Sequence, residues 1–160
     1  MLEPTANLRS RIVGTWELIS FTLTVDGETR HPMSERPKGI HMFTPDYTTA
    51  SILNPGMPHY ASPNPFAAST EEYAESCRRF MGWAGRWSVA PLPEQGRSDG
   101  LTEAFVAGVL SYEIQVVNFP NQLGRTQERK VWMEDEGSVL VITSLDDHGP
   151  LLEYRWKRLA

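Results

Sequence analysis

From residue 15 onward the sequence is a succession of short runs rich in β-branched and aromatic residues, each closed by a cluster of turn formers. "TWELISFTLTV" (15–25) is followed by Asp26-Gly27, a hairpin-turn dipeptide. "GIHMFT" (39–44) and "YTTASIL" (47–53) flank Pro45-Asp46. "WAGRWSV", "VLSYEIQVVNF", "RTQERKVWM", "SVLVITS" and "LLEYRWKRL" complete the set, with "PNQLG", "EDEG" and "DDHG" as turns between the last four. About eight strands joined mostly by hairpins would leave two open edges unless the sheet closes on itself. An antiparallel up-and-down β-barrel is therefore expected, with room for its own side chains or one small ligand.

Two irregularities refine that expectation. In the first run Trp16 and Leu18 share one face while Ile19, Phe21, Leu23 and Val25 share the other, so this strand should bend or carry a bulge. The strand rhythm stops at "NPGMPHYASPNPF" (54–66), where Pro55, Pro58, Pro63 and Pro65 exclude a regular helix or central strand. "STEEYAESCRRFM" follows. Ser69 and Glu72 have capping-box spacing, and Tyr73, Cys77 and Phe80 fall on one face of the inserted helix. The Pro-rich loop is expected over the barrel mouth. "LTEAFVAG" (101–108) suits either a short helix or a strand.

With 160 residues the chain suits one domain, 1–160. Its net charge of −5 comes without a segregated basic cluster, which argues against a nucleic-acid or anionic-membrane partner. Cys77 is the only cysteine, so no intrachain disulfide can form. No apolar run has signal-peptide or membrane-spanning length, and a cytoplasmic location is the simplest expectation. The four histidines lack metal-ligand spacing, and neither a phosphate-binding loop nor a nucleophile elbow is present, so a site without metal or cofactor is expected. A homodimer is neither required nor excluded.

"GTWELISF", "PKGIHMFTPD", "STEEYAE…FMGWAGRW", "NFPNQLGRTQERK" and "YRWKRL" together resemble the lipocalin-like domain family of calycin-type barrels, in order and over nearly the whole chain. Its bacterial and fungal members include some in secondary-metabolite pathways. The resemblance implies a ligand-enclosing barrel opened by Gly14-x-Trp16 and closed by a carboxy-terminal arginine lying across the tryptophan ring, here Arg158. It implies no single activity. Where members often carry two adjacent histidines and then a glutamate, this chain has Tyr112, Glu113 and Gln115.

Strand alternation then sorts the candidate residues. In "EYRWKRL" Tyr154, Trp156 and Arg158 should point inward. In "RTQERKVWM" Gln127, Arg129, Val131 and Met133 should do so. Arg129 is a charge in an apolar interior and needs a partner, for which Glu113 is the first candidate. Such a pair could bind an enolate or carboxylate oxygen, or could merely fix strand register. His41 has apolar neighbours on both faces. If it faces the cavity, its ordinary pKa suits acid–base work. Arg129, Glu113 and His41 are the candidate catalytic set. Trp83 and Trp87, with Gly85 between them, and Tyr47 would wall a flat, conjugated guest, or simply pack the core. Tyr112, Gln127 and Tyr154 join them as binding candidates, as do His59 and Tyr60 if the Pro-rich loop closes over the mouth.

The expected function is binding of a hydrophobic, oxygenated, polyketide- or terpenoid-like metabolite, with cofactor-free isomerisation, cyclisation or dehydration. The alternative is a non-catalytic binding or carrier protein.

Overall fold

The structure is a computed structural model that describes residues 4–92, 107–146 and 148–159. Nine strands form one antiparallel sheet: β1 (Gly14–Val25), β2 (Glu28–Arg30), β3 (Lys38–Phe43), β4 (Tyr47–Leu53), β5 (Phe80–Pro91), β6 (Gly108–Val117), β7 (Thr126–Glu134), β8 (Val139–Ser144) and β9 (Leu151–Arg158). β1 pairs with β3 and with β9, so eight strands close into a barrel and the short β2 extends β1 as a hairpin. The expected irregularity of the first strand is a register shift between Leu18 and Ser20 against β9. It lets Trp16, Leu18 and then Phe21 all face the interior.

One barrel end is closed by an element the turn-and-strand reading did not include, helix α1 (Pro4–Ile12). Its Leu8 and Ile12, one helical turn apart, are buried in the core. Arg9 donates to the Pro45 carbonyl in the β3–β4 turn, and its guanidinium lies 4.7 Å from the Trp87 ring centroid. The Arg11 carbonyl accepts from Arg158 at the end of β9. These contacts tie α1 to turns and strand ends of the same rim. The Leu8/Ile12 spacing was the sequence signal for this helix, although nine residues would not be stable alone.

Trp16 completes that closure. Its ring is fully buried, its Nε1 donates to the Ile12 carbonyl at 2.9 Å, and Arg158 covers it with its guanidinium carbon 4.1 Å from the ring centroid. Arg158 also donates to the Val13 carbonyl at 3.3 Å. Gly14, two residues before the tryptophan, has φ 141°, a conformation open to glycine and strained for other residues.

The Pro-rich stretch and helix α2 (Thr70–Arg78) connect β4 to β5. The capping box at Ser69 and Glu72 is formed. Glu72 also accepts from the Ala61 amide at 2.6 Å, Tyr60 bonds Ser76 at 2.8 Å, and Tyr73 donates to the Pro65 carbonyl at 2.8 Å. The loop is thus folded back on α2. The undecided stretch at 101–108 lies outside the described residues as far as 106. Among the described residues no helix is long and apolar enough to cross a membrane.

Candidate ligand site

Above the closed end the barrel holds a cavity of about 210 Å³. An apolar cavity of roughly 150 Å³ takes a benzene, whereas drug-sized ligands occupy roughly 300 Å³ and more. The space is thus larger than a benzene site and smaller than that of a drug-sized ligand. Its walls come from β1 (Phe21), β3 (His41), β5 (Met81, Trp83), β6 (Tyr112, Ile114, Val117), β7 (Gln127, Arg129), β8 (Ile142) and β9 (Leu152, Tyr154, Trp156). Phe119 and Gln122, on the β6–β7 connection, complete the lining.

Of the candidates, His41, Trp83, Tyr112, Gln127, Arg129 and Tyr154 are brought together here. The others are placed elsewhere. Tyr112 and Ile114 take the inward positions of β6, so alternation sends Glu113 to the exposed outer face, in register with Arg86 and Thr126. The expected Arg129–Glu113 pair is not made. Tyr47 is exposed and its ring centroid lies 5.0 Å from the Arg86 guanidinium carbon, outside the lining of this cavity. Trp87 is buried, but in the closed end, where its Nε1 donates to the Thr44 carbonyl at 2.9 Å. His59 is exposed, and Tyr60 is half-buried against α2. Neither lines the cavity. Residues that sequence reasoning did not single out include Phe21, Met81, Phe119, Gln122 and Leu152. Alternation marked Trp156 as inward, but alternation carries no information about height along the barrel axis.

Arg129 is half-buried. It donates to its own strand, to the Glu128 carbonyl at 2.9 Å and to Gln127 Oε1 at 3.0 Å, and Gln127 in turn donates to Gln122. Among the described residues no carboxylate pairs with it. Its charge reaches both phenols of the wall. Burial pushes Tyr154 up to about 12 and Tyr112 higher still, and the guanidinium opposes both shifts. Tyr154 stacks on Phe21, with centroids 4.4 Å apart and planes within 9°.

His41 is fully buried, and burial lowers its pKa to about 3. It is therefore a neutral imidazole at physiological pH, without the near-neutral titration that acid–base catalysis would use. The sign of the linked stability effect follows. Between pH 3 and 6.5 the unfolded chain protonates His41 and the folded chain does not, so stability is complete above pH 6.5 and is lost as pH falls, by up to about 1.4 kcal/mol per unit. The window from pH 6.5 to about 5 lies above the range in which Glu75 and Glu134, held below the ordinary carboxylate value by Arg79 and Arg155, lose their own contribution. Denaturant midpoints of the wild-type protein should fall across that window, and His41→Phe should flatten the slope. A flat wild-type profile would mean that His41 takes up its proton in the folded state.

A closed antiparallel barrel with a ligand-sized interior, one end sealed by a Trp–Arg stack, is a calycin-type architecture. Residues 13–158 match the lipocalin-like domain family, and the chain belongs to it. A relative from Aspergillus oryzae (strain ATCC 42149 / RIB 40), the 4'-hydroxy-3'-methoxypropiophenone carrier protein ppsC, is 25% identical over 97 residues, covering 61% of this chain and 78% of its own. Among solved structures, a redesigned β-barrel aligns over 95% of each chain with a TM-score of 0.41 and 13% identity. A de novo designed fluorescence-activating β-barrel aligns over 99% of this chain and 100% of its own, with a TM-score of 0.39 and 13% identity.

Proposed function

We propose that the protein binds and carries a small, flat, oxygenated aromatic compound, a hydroxylated aryl ketone being the best match. The observation that supports this over catalysis is the make-up of the cavity. Aromatic rings, aliphatic side chains, two amides and one guanidinium line the space, its imidazole is held neutral, and no carboxylate is among the described lining residues. Such walls bind by ring packing and hydrogen bonding and offer no proton donor and acceptor matched to neutral pH. The compound for which the relative is named, one ring with a hydroxyl, a methoxy and a ketone, has the size the cavity allows.

Titrating the protein with 4'-hydroxy-3'-methoxypropiophenone, followed by quenching of tryptophan fluorescence, should saturate at one equivalent. The compound should be recovered unchanged after prolonged incubation. Absence of saturable binding would refute the proposal.

Cofactor-free isomerisation or cyclisation is the second reading, and Arg129 is the observation that favours it. A guanidinium without a carboxylate partner could polarise a carbonyl or hold an enolate oxygen. On that reading a bound ketone is converted by the wild-type protein, and Arg129→Ala, shown to be folded, loses the conversion. On the carrier reading no conversion is seen and the substitution alters affinity alone.

A further inference from the structure

The hydrogen bonds of His41 leave its ring in one tautomer. The Thr48 hydroxyl donates to the Met42 carbonyl at 3.0 Å, and it lies 2.8 Å from His41 Nε2. A hydroxyl has a single proton to give, so toward the histidine Thr48 is an acceptor and Nε2 carries the hydrogen. Nδ1 is then a bare lone pair. It is buried with no hydrogen-bond partner among the described residues. Three side chains pack around the same imidazole, with ring centroids at 5.0 Å (Trp156), 5.8 Å (Trp83) and 6.2 Å (Tyr112). Each also has a buried polar atom without a partner: the two indole Nε1 atoms and the Tyr112 hydroxyl. Leaving a buried polar group unpaired costs roughly 1–3 kcal/mol. All four sit on residues that line the cavity, but each atom is itself covered, so a guest meets them only after a small side-chain shift. Four such groups at one place are poor core design and suit recognition of a polar guest. Two indole nitrogens can only donate, and His41 Nδ1 can only accept.

Resting on the carrier reading, we propose that His41 is the specificity-determining residue of the cavity. Its unprotonated Nδ1 accepts a hydrogen bond from a phenolic hydroxyl of the guest, which enters hydroxyl first, while an acceptor oxygen lies toward Arg129 on the half-exposed side. Thr48, which does not line the cavity, is the positioning residue that holds the tautomer. A deprotonated phenol would set negative charge against a lone pair, so the site selects the neutral form.

The test compares 4'-hydroxy-3'-methoxypropiophenone with 3'-methoxypropiophenone, which lacks only the hydroxyl and introduces no bulk. Wild-type protein should bind the first about five- to tenfold more tightly. In His41→Phe and in Thr48→Val the ratio should fall to within about twofold while 3'-methoxypropiophenone still binds, which shows that the cavity is intact. Nitrogen-15 shifts of the imidazole in the ligand-free wild type should show Nε2 protonated and Nδ1 not. Equal affinity for the two compounds in wild type, a ratio that survives in both variants, or a protonated Nδ1 would each overturn the assignment and leave the carrier reading standing. Binding of neither compound would overturn both.

Discussion

Trp16→Ala is expected to destabilise the protein by about 3–5 kcal/mol, the range for truncating a fully buried large aromatic. At this chain length that is a fall in melting temperature of roughly 6–20 °C. Three losses coincide. The ring fills the closed end among buried residues, its Nε1 holds the last turn of α1 through the Ile12 carbonyl, and its face receives the Arg158 guanidinium. A stacked cation of this kind contributes about 0.5–2 kcal/mol. Trp16 does not line the cavity, so ligand affinity measured below the transition should stay within about threefold of wild type. Arg158→Ala should cost less than Trp16→Ala, and a double-mutant cycle should show the two effects to be strongly non-additive. Thermal melts and ligand titrations of the three variants check this. Affinity that collapses while stability holds would place Trp16 in the ligand site instead of the closure.

How far the sequence foresees these features depends on what kind of information each needs. Alternation in β7 and β9 is legible because the outward positions carry charge: Glu128 and Lys130 in one, Glu153, Arg155 and Lys157 in the other. Gln127, Arg129, Tyr154 and Trp156 are therefore assigned inward from pattern alone, and they are inward. The phase change in β1 is legible from the apolar residues themselves, which switch parity after Leu18. β3 is not, because its outward residues Ile40 and Met42 are themselves apolar and remain exposed, so nothing in the string distinguishes the side on which His41 lies. In β6 the opposite error arises. Glu113 was attractive as a partner for Arg129, yet its neighbours Tyr112 and Ile114 are larger apolar groups and claim the interior. Trp83 and Trp87 show a third limit. Both are inward and four residues apart, but strand tilt carries one to the cavity and the other to the closed end, and height along the axis has no periodic signature. His41's partners, Thr48 and the rings around it, come from four other strands, and only their assembly creates the unpaired lone pair.

Gly85→Ala should destabilise the protein by more than about 3 kcal/mol, beyond the usual range for overpacking. β6 carries an extra residue where it passes β5: Ala84 pairs with Val116 and Gly85 with Ile114, so Gln115 bulges. The bulge brings the β6 backbone over Gly85. A Cβ built on that glycine would lie 1.8 Å from the Glu113 carbonyl oxygen, 2.8 Å from its carbon and 3.2 Å from the Gln115 nitrogen. All three atoms are backbone, so no rotamer change can relieve the overlap, and β5 must separate from β6. That loosens Trp83 and Tyr112 together, one on each strand, and ligand binding should be lost with the stability. Gly82→Ala in the same strand is the control. Its Cβ would meet the Phe80 ring at 2.8 Å, but Phe80 is partly exposed and can swing aside. The added methyl also lowers the entropy of the unfolded chain, so Gly82→Ala should lie within about 1 kcal/mol of wild type. Chemical denaturation of both variants decides the matter. A Gly85→Ala protein as stable as the Gly82→Ala one would show that the bulge can shift, and that the spacing between Trp83 and Tyr112 is not fixed by the backbone at this glycine.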